Sequence, residues 1–153
     1  MPAGSTEGAV IDRLFIGLEH GDVGAAVACL TDAATIWHSF DRVVHDVDSI
    51  RADWERLVAG SSLRRVTDVR RAPIPTGFVQ QHLMTVHTRT GARLAWPACI
   101  VVRIEDGRIA RLDEYLDRAG HFIPVEDSRT TPGLEPIDRS ARTDGAAPDP
   151  IPR

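Results

Sequence analysis

The chain has no lysine and no asparagine; all 18 of its basic residues are arginine. That removes several chemistries at once: a Schiff-base lysine, the lysine of a phosphate-binding loop, an asparagine in an oxyanion hole and an acceptor for N-linked sugar. Cysteine is scarce. Cys29 and Cys99 are too few and too far apart for a disulfide framework, and no Cys-x-x-Cys or matching histidine spacing builds a zinc site. Such usage predicts a reducing cytoplasm. No apolar run approaches the length that spans a bilayer, and no basic segment followed by an apolar one opens the chain, so neither membrane insertion nor secretion is expected. A formal net charge of −4 argues against nucleic-acid binding, which calls for a clustered basic face.

What is present is ordinary for a globular protein: 42% hydrophobic and 26% charged residues in 153, enough for one domain with a real core. Val10, Ile11, Leu14, Phe15 and Leu18 fall on one side of a helical wheel, which predicts an amphipathic helix over residues 6 to 20. Gly21-Asp22 ends it, and Asp22 can cap a short second helix through Leu30. Ala34 to Phe40 reads as a strand with Ile36 and His38 on one face and Trp37 on the other. Asp46 or Asp48 then opens a third helix with the stripe Ile50, Trp54, Leu57 and Val58. Four strand-like runs follow, over residues 63–72, 78–88, 93–104 and 108–117. Helices segregated from a meander of strands predict an α+β fold. The domain is expected over residues 1–127. From 128 to 153 the composition changes, with five of the ten prolines between Pro132 and Pro152, and such a tail cannot bury enough surface to fold alone.

Two hairpins carry the chemistry. Asp106-Gly107 between apolar, β-branched runs is a strong two-residue hairpin signal and pairs Cys99 with Glu114; Thr90-Gly91, read the same way, pairs His82 with Cys99. Directly opposed residues share a face, so His82, Cys99 and Glu114 are expected in one row, the outer two about 10 Å apart. Gln80, Met84, Val86, Val101, Leu112 and Leu116 would share that face, which is largely apolar apart from Gln80. A β-bulge in either strand would shift the register by one.

This order of elements, with Trp37-His38 on the first strand and Glu105-Asp106-Gly107-Arg108-Ile109 running into Asp113-Glu114-Tyr115-Leu116-Asp117, resembles the nuclear transport factor 2-like superfamily over residues 7–118, and within it the SnoaL-like branch. The resemblance implies a cone-shaped, curved antiparallel sheet packed on three N-terminal helices, a cystatin-like α+β barrel, with one deep apolar pocket and a homodimer. Ile100, Val102, Ile104 and Ile109 would form the apolar outer face of that dimer, or else the core. The superfamily includes polyketide cyclases, ketosteroid isomerases, limonene epoxide hydrolases and scytalone dehydratases. Glu114 matches the place where the cyclases and epoxide hydrolases keep a pocket aspartate, and His38 falls where the isomerases keep their base. Leu14 stands in place of the isomerase oxyanion tyrosine, no acid lies between Ala98 and Val101, and Gln81 and Leu83 stand where the epoxide hydrolases carry arginine and aspartate.

The candidate catalytic residues are therefore Glu114, His82 and His38. A carboxylate between Leu112 and Leu116 would have its pKa pushed up by burial, toward the range useful in acid–base work. Asp41 is placed to orient His38, and Asp41, Trp54, Gln80, Met84, Cys99, Val101, Leu112 and Leu116 are the expected substrate-binding set. His20, His45, His87 and His121 belong to no constellation. The chemistry expected is cofactor-independent and metal-free: cyclisation, isomerisation, dehydration or hydrolysis of a small apolar carbonyl or epoxide compound. The alternative is a non-catalytic binder or dimeric interaction module with the same fold. Convergence of His38, His82 and Glu114 on one cavity separates the two, dispersal favouring the binder.

Overall fold

In the computed structural model, which describes residues 4–116, the apolar stripe of the first segment forms helix α1 (Gly4–Glu19), with Val10, Ile11, Leu14 and Leu18 buried. Gly21, at φ 76°, closes it: its amide reaches the Leu18 carbonyl at 3.1 Å and the next amide, of Asp22, reaches Gly17 at 2.8 Å, a Schellman stop. The Asp22 side chain then accepts from the Ala25 amide at 2.9 Å and starts α2 (Val23–Val27). Strand β1 (Leu30–His38) follows, then a two-residue strand β2 (Val44–His45) that the sequence reading missed, and α3 (Val47–Gly60), capped by Asp46 through the Ser49 amide at 2.8 Å. Ile50 and Trp54 of α3 are buried. The long strands β3 (Ser61–Ile74), β4 (Gly77–Thr88), β5 (Arg93–Glu105) and β6 (Arg108–Leu116) complete the described chain. The domain limit at 127 and the tail 128–153 lie outside the described residues.

The six strands form one curved, open sheet in the order β2-β1-β6-β5-β4-β3, with the helices on its concave side. The sheet is mixed: β1 runs parallel to β6, and every other neighbouring pair is antiparallel. One core cluster joins the buried faces of α1, α2 and α3 to Ile36, Phe78, Ile100, Val102, Ile109 and Leu112. No described helix is long and apolar enough to cross a membrane.

Both hairpins differ from expectation by one residue. Asp106 (φ 49°) and Gly107 (φ 75°) do form the two-residue turn, and Glu105 pairs with Arg108 and Ile104 with Ile109. A register shift between Arg103 and Ile104 then leaves Ala110 extra, and beyond it Cys99 pairs with Tyr115 rather than Glu114. The bulge lets two successive side chains, Ile109 and Ala110, both stay buried. At the other hairpin Arg89-Thr90-Gly91 is a three-residue loop, with Thr88 N–H on the Ala92 carbonyl at 2.8 Å and His87 opposite Arg93. Gly91 alone takes the left-handed conformation there, at φ 96°. A two-residue primed turn at Thr90-Gly91 would need positive φ at the β-branched Thr90 to match strand twist, a costly conformation.

The two slips cancel for His82 and Glu114, which still share the inner face, opposite Ala98 and Ile100 of β5 respectively. They do not cancel for β5. Ala98, Ile100 and Val102 are buried inward, and the alternate residues Cys99 and Val101 point to the convex side. Ile100, Val102 and Ile109 are accordingly fully buried core, with Ile104 packed against it, so of the two places allowed for this apolar set the core is the one occupied.

Candidate functional site

The site begins with the β1–β6 pair. Parallel register sets Ile36 beside Leu112 and His38 beside Glu114. The ladder continues one step further, where the Ser39 amide bonds the Glu114 carbonyl at 2.8 Å and the Ser39 hydroxyl both donates to the Leu116 carbonyl at 3.0 Å and accepts from the Leu116 amide at 2.8 Å. This pins the end of β1 and brings His38 Nε2 to 3.9 Å from Glu114 Oε1. Both side chains are shielded, at 10% and 14% exposure.

Beyond Ser39 the chain doubles back. Asp41 Oδ1 accepts from the Val43 amide at 2.9 Å, Arg42 takes φ 57°, and β2 returns antiparallel with His45 opposite Ile36. The reversal stacks Phe40 on the His38 ring, 4.7 Å between centroids and 12° between planes, and sets the His45 ring 5.2 Å from His38. Asp41 Oδ2 lies 2.8 Å from His45 Nε2 and 3.6 Å from His38 Nδ1. His45 Nδ1 meets the Ser49 hydroxyl at 2.8 Å and lies 3.6 Å from Asp53 Oδ2, both on the first turns of α3.

Burial pushes the Asp41 carboxyl up, yet the Val43 amide, the bond from His45 and the charges of His38 and His45 together outweigh it and hold the pKa below the usual carboxylate value. Asp41 is therefore ionised at neutral pH, and its 2.8 Å contact places a proton on His45 Nε2. Two imidazoles thus stand among three carboxylates, of which Asp53 also pairs with Arg56.

His38, Phe40, Asp41, Asp53 and Glu114 of this cluster line a cavity of about 530 Å³. Leu14, Phe15 and Leu18 of α1 and Trp54 and Leu57 of α3 face Met84 and Val86 of β4, Leu94 and Trp96 of β5, and Leu112 and Leu116 of β6 across it. Phe40 adds a fourth aromatic ring, so half of the chain's eight aromatic residues line this one space. Arg56, Ser61 and Thr88 also reach its wall, and a mainly apolar cavity with a few polar groups is the usual form of a small-molecule site.

Of the expected residues, the structure brings His38, Glu114, Asp41, Trp54, Met84, Leu112 and Leu116 to the cavity wall. It does not bring His82. That ring is buried behind Phe15, whose edge it meets at 5.1 Å, and His82 and Gln80 are not among the described residues lining the cavity. Gln80 is fully buried in a polar chain instead: Asp12 holds Arg71 at 2.6 Å, Arg71 Nε donates to Gln80 Oε1 at 2.8 Å, and Gln80 Nε2 donates to His82 Nδ1 at 3.1 Å. His82 Nε2 then carries the proton, buried without a hydrogen-bond partner among the described residues. Burial and then the Arg71 charge push the His82 pKa down to about 4, so the ring is neutral at pH 7. Cys99 and Val101 are corrected as well, since the register shifts turn them to the other face of the sheet. Convergence is thus partial, two of three.

The sequence reading does not single out His45, Asp53, Phe15 or Phe40, whereas Trp96, expected as core or pocket wall, lines the cavity. For His45 the only sequence signal was the Asp41-x-x-x-His45 spacing; a two-residue strand carries no periodicity.

The model of the SnoaL-like domain family matches residues 11–112. Among curated proteins no sequence matches the chain. Solved structures resemble it in fold at low identity. A candidate polyketide cyclase from Xanthomonas campestris is 13% identical, with 74% of this chain and 92% of that one covered and a TM-score of 0.66. An epoxide hydrolase of the LEH-like kind from M. tuberculosis is 15% identical over 76% and 86%, with a TM-score of 0.65. AusH from Aspergillus nidulans is 12% identical over 77% and 88%, with a TM-score of 0.67.

Proposed function

Because the chain belongs to the SnoaL-like domain family, we propose that it is a cytoplasmic small-molecule enzyme that moves protons without a cofactor, acting on an apolar carbonyl or epoxide compound held in the cavity. The observation that carries this reading is the His38–Glu114 pair, 3.9 Å apart on the wall of a cavity lined mainly by apolar side chains. A carboxylate and an imidazole at that separation can take a proton from one atom of a bound molecule and return it to another. Cyclisation, isomerisation, dehydration and hydrolysis share that step, and a candidate polyketide cyclase and an LEH-like epoxide hydrolase among the structural relatives share the fold. Asp41 orients the imidazole from its other side, and His45, hydrogen-bonded to Asp41, holds that carboxylate in place.

Glu114→Gln tests it. Glutamine keeps the shape and the hydrogen-bonding capacity but cannot exchange a proton, so a carbonyl or epoxide compound found by thermal-shift screening should still bind while turnover falls about 10²-fold or more. His38→Gln should fall comparably, and His82→Gln should leave turnover within a few-fold. Unchanged turnover in both Glu114→Gln and His38→Gln discards the acid–base reading in favour of a binding protein.

We also propose a homodimer through the convex sheet face. The apolar set there is Val44 (55% exposed) opposite Trp37, Tyr115 (52% exposed) edge-on to Trp37 at 5.3 Å, and Val101. A dimer in light scattering at micromolar concentration, converted to monomer by Tyr115→Arg, is the expected result. A wild-type monomer overturns it.

A further inference from the structure

We infer that His38, Asp41 and His45 form a binding site for one divalent transition-metal ion of the Zn²⁺ class. The sequence spacing demands no such site, and the tertiary cluster is what builds it. One ligand atom from each of the three lies within 4.8 Å of the others. A tetrahedral zinc with bonds of about 2.0–2.2 Å spaces its ligand atoms by about 3.4 Å. The contacts of Asp41 Oδ2 with His45 Nε2 (2.8 Å) and His38 Nδ1 (3.6 Å) straddle that spacing, and the two imidazoles' ligand atoms are no more than 4.8 Å apart. Two imidazoles and one carboxylate are a zinc-type donor set, and three protein ligands leave a fourth position for water or a ligand oxygen.

Each histidine also has an outer partner on the nitrogen that would not bind metal. His38 Nε2 faces Glu114 at 3.9 Å, and His45 Nδ1 faces the Ser49 hydroxyl at 2.8 Å and Asp53 at 3.6 Å. Carboxylates and hydroxyls in those places fix ring orientation and raise ligand basicity. The charge balance favours a cation as well: among the described residues lining the cavity, Asp41, Asp53 and Glu114 carry three carboxylates against the Arg56 guanidinium. Access is through Asp41, whose side chain is 28% exposed.

Binding needs no assumption about catalysis. Coupling to it rests on the proton-transfer reading: with metal on His38 Nδ1, Glu114 holds the Nε2 proton, so the occupied and proton-shuttling states exclude each other.

Titration of the full chain with Zn²⁺, followed by calorimetry and without any substrate, should show one ion per chain at micromolar affinity or tighter, and Co²⁺ should give the absorption of a four-coordinate site. Asp41→Asn and His45→Gln should each weaken Zn²⁺ binding by at least 100-fold, and Glu114→Gln by about tenfold. Asparagine at 41 keeps the acceptor for the Val43 amide, so that variant decides even where His45→Gln loses its fold by circular dichroism. Absence of one-to-one uptake, or uptake that Asp41→Asn leaves unchanged, overturns the site. Neither result depends on turnover.

Discussion

Replacement of Arg64 by methionine is expected to destabilise the domain by about 3–5 kcal/mol, a large share of the total stability of a domain this size. Arg64 is buried on β3, and its guanidinium donates to the carbonyls of Leu18 at 2.7 Å and Glu19 at 3.2 Å, to the Ser61 carbonyl at 2.8 Å and hydroxyl at 2.7 Å, and to Val58 at 3.5 Å. These acceptors sit at the C-terminal ends of α1 and α3, where the last carbonyls of a helix have no partner within it and carry its partial negative charge. One planar fork therefore caps two helices and ties both to the sheet. Burial, and then the charge of Arg89, lowers the Arg64 pKa from its ordinary value, but a guanidinium stays protonated, so the donors persist at every physiological pH. Methionine fills much of the volume but supplies no donor: the Leu18 carbonyl keeps only the Gly21 amide and the Val58 carbonyl only the Ser61 amide, while the bonds to the Glu19 carbonyl and to Ser61 are lost, each at about 1–3 kcal/mol where water cannot replace it. Arg64→Lys should recover only part of the loss, because one ammonium cannot reach both helix ends in fork geometry. Urea denaturation reads both variants; a midpoint for Arg64→Met equal to wild type would show that the two helix ends need no cap.

Acid should weaken the fold through His82, by about 3 kcal/mol between pH 6.5 and pH 4. Unfolded, the imidazole takes its proton near its ordinary value of 6.5; folded, burial and the Arg71 charge hold the pKa down to about 4. Within that window the unfolded chain binds more protons, so the contribution is fully present above pH 6.5 and is lost as pH falls toward 4. Gln80 cannot relieve the strain. Its amide already donates to His82 Nδ1 while its oxygen accepts from Arg71, so protonation of Nδ1 sets two donors against each other. His82→Gln keeps an acceptor available to Gln80 and cannot titrate. Urea midpoints at pH 7.5, 5.5 and 4.5 should converge on those of the wild type, or cross them, as pH falls. Carboxylates titrate in the same window and contribute to both proteins, so the difference between them isolates His82. A constant difference across the three pH values would place the His82 proton elsewhere.

Elements whose signals are local were legible in the sequence. The α1 stripe, the Asp22 and Asp46 caps, the Asp106-Gly107 turn and the four strand runs follow from a 3.6-residue period, orphan amides at helix starts and left-handed turn residues, all of which act over a few positions. The α+β class and the family resemblance rest on that order of elements. So did the pairing of Glu114 with an inner, half-apolar face, although through two one-residue errors that cancelled.

What only the tertiary structure decided is which side chains meet. The parallel β1–β6 ladder joins Ser39 to Leu116 across 77 residues, and nothing in either segment names the other as partner; yet that ladder makes His38 the neighbour of Glu114. The bulge at Ala110 is set by packing, since Ile109 and Ala110 both gain burial from it, and burial is a property of the assembled sheet against the helices. The same shift carried Cys99 and Val101 out of the site, and the lie of α1 across the sheet left Phe15 between His82 and the cavity. Residue types and their local periods determined the elements and the chemistry available; sheet register and helix docking, which depend on contacts between distant segments, chose His38, Asp41, His45 and Glu114 from that supply.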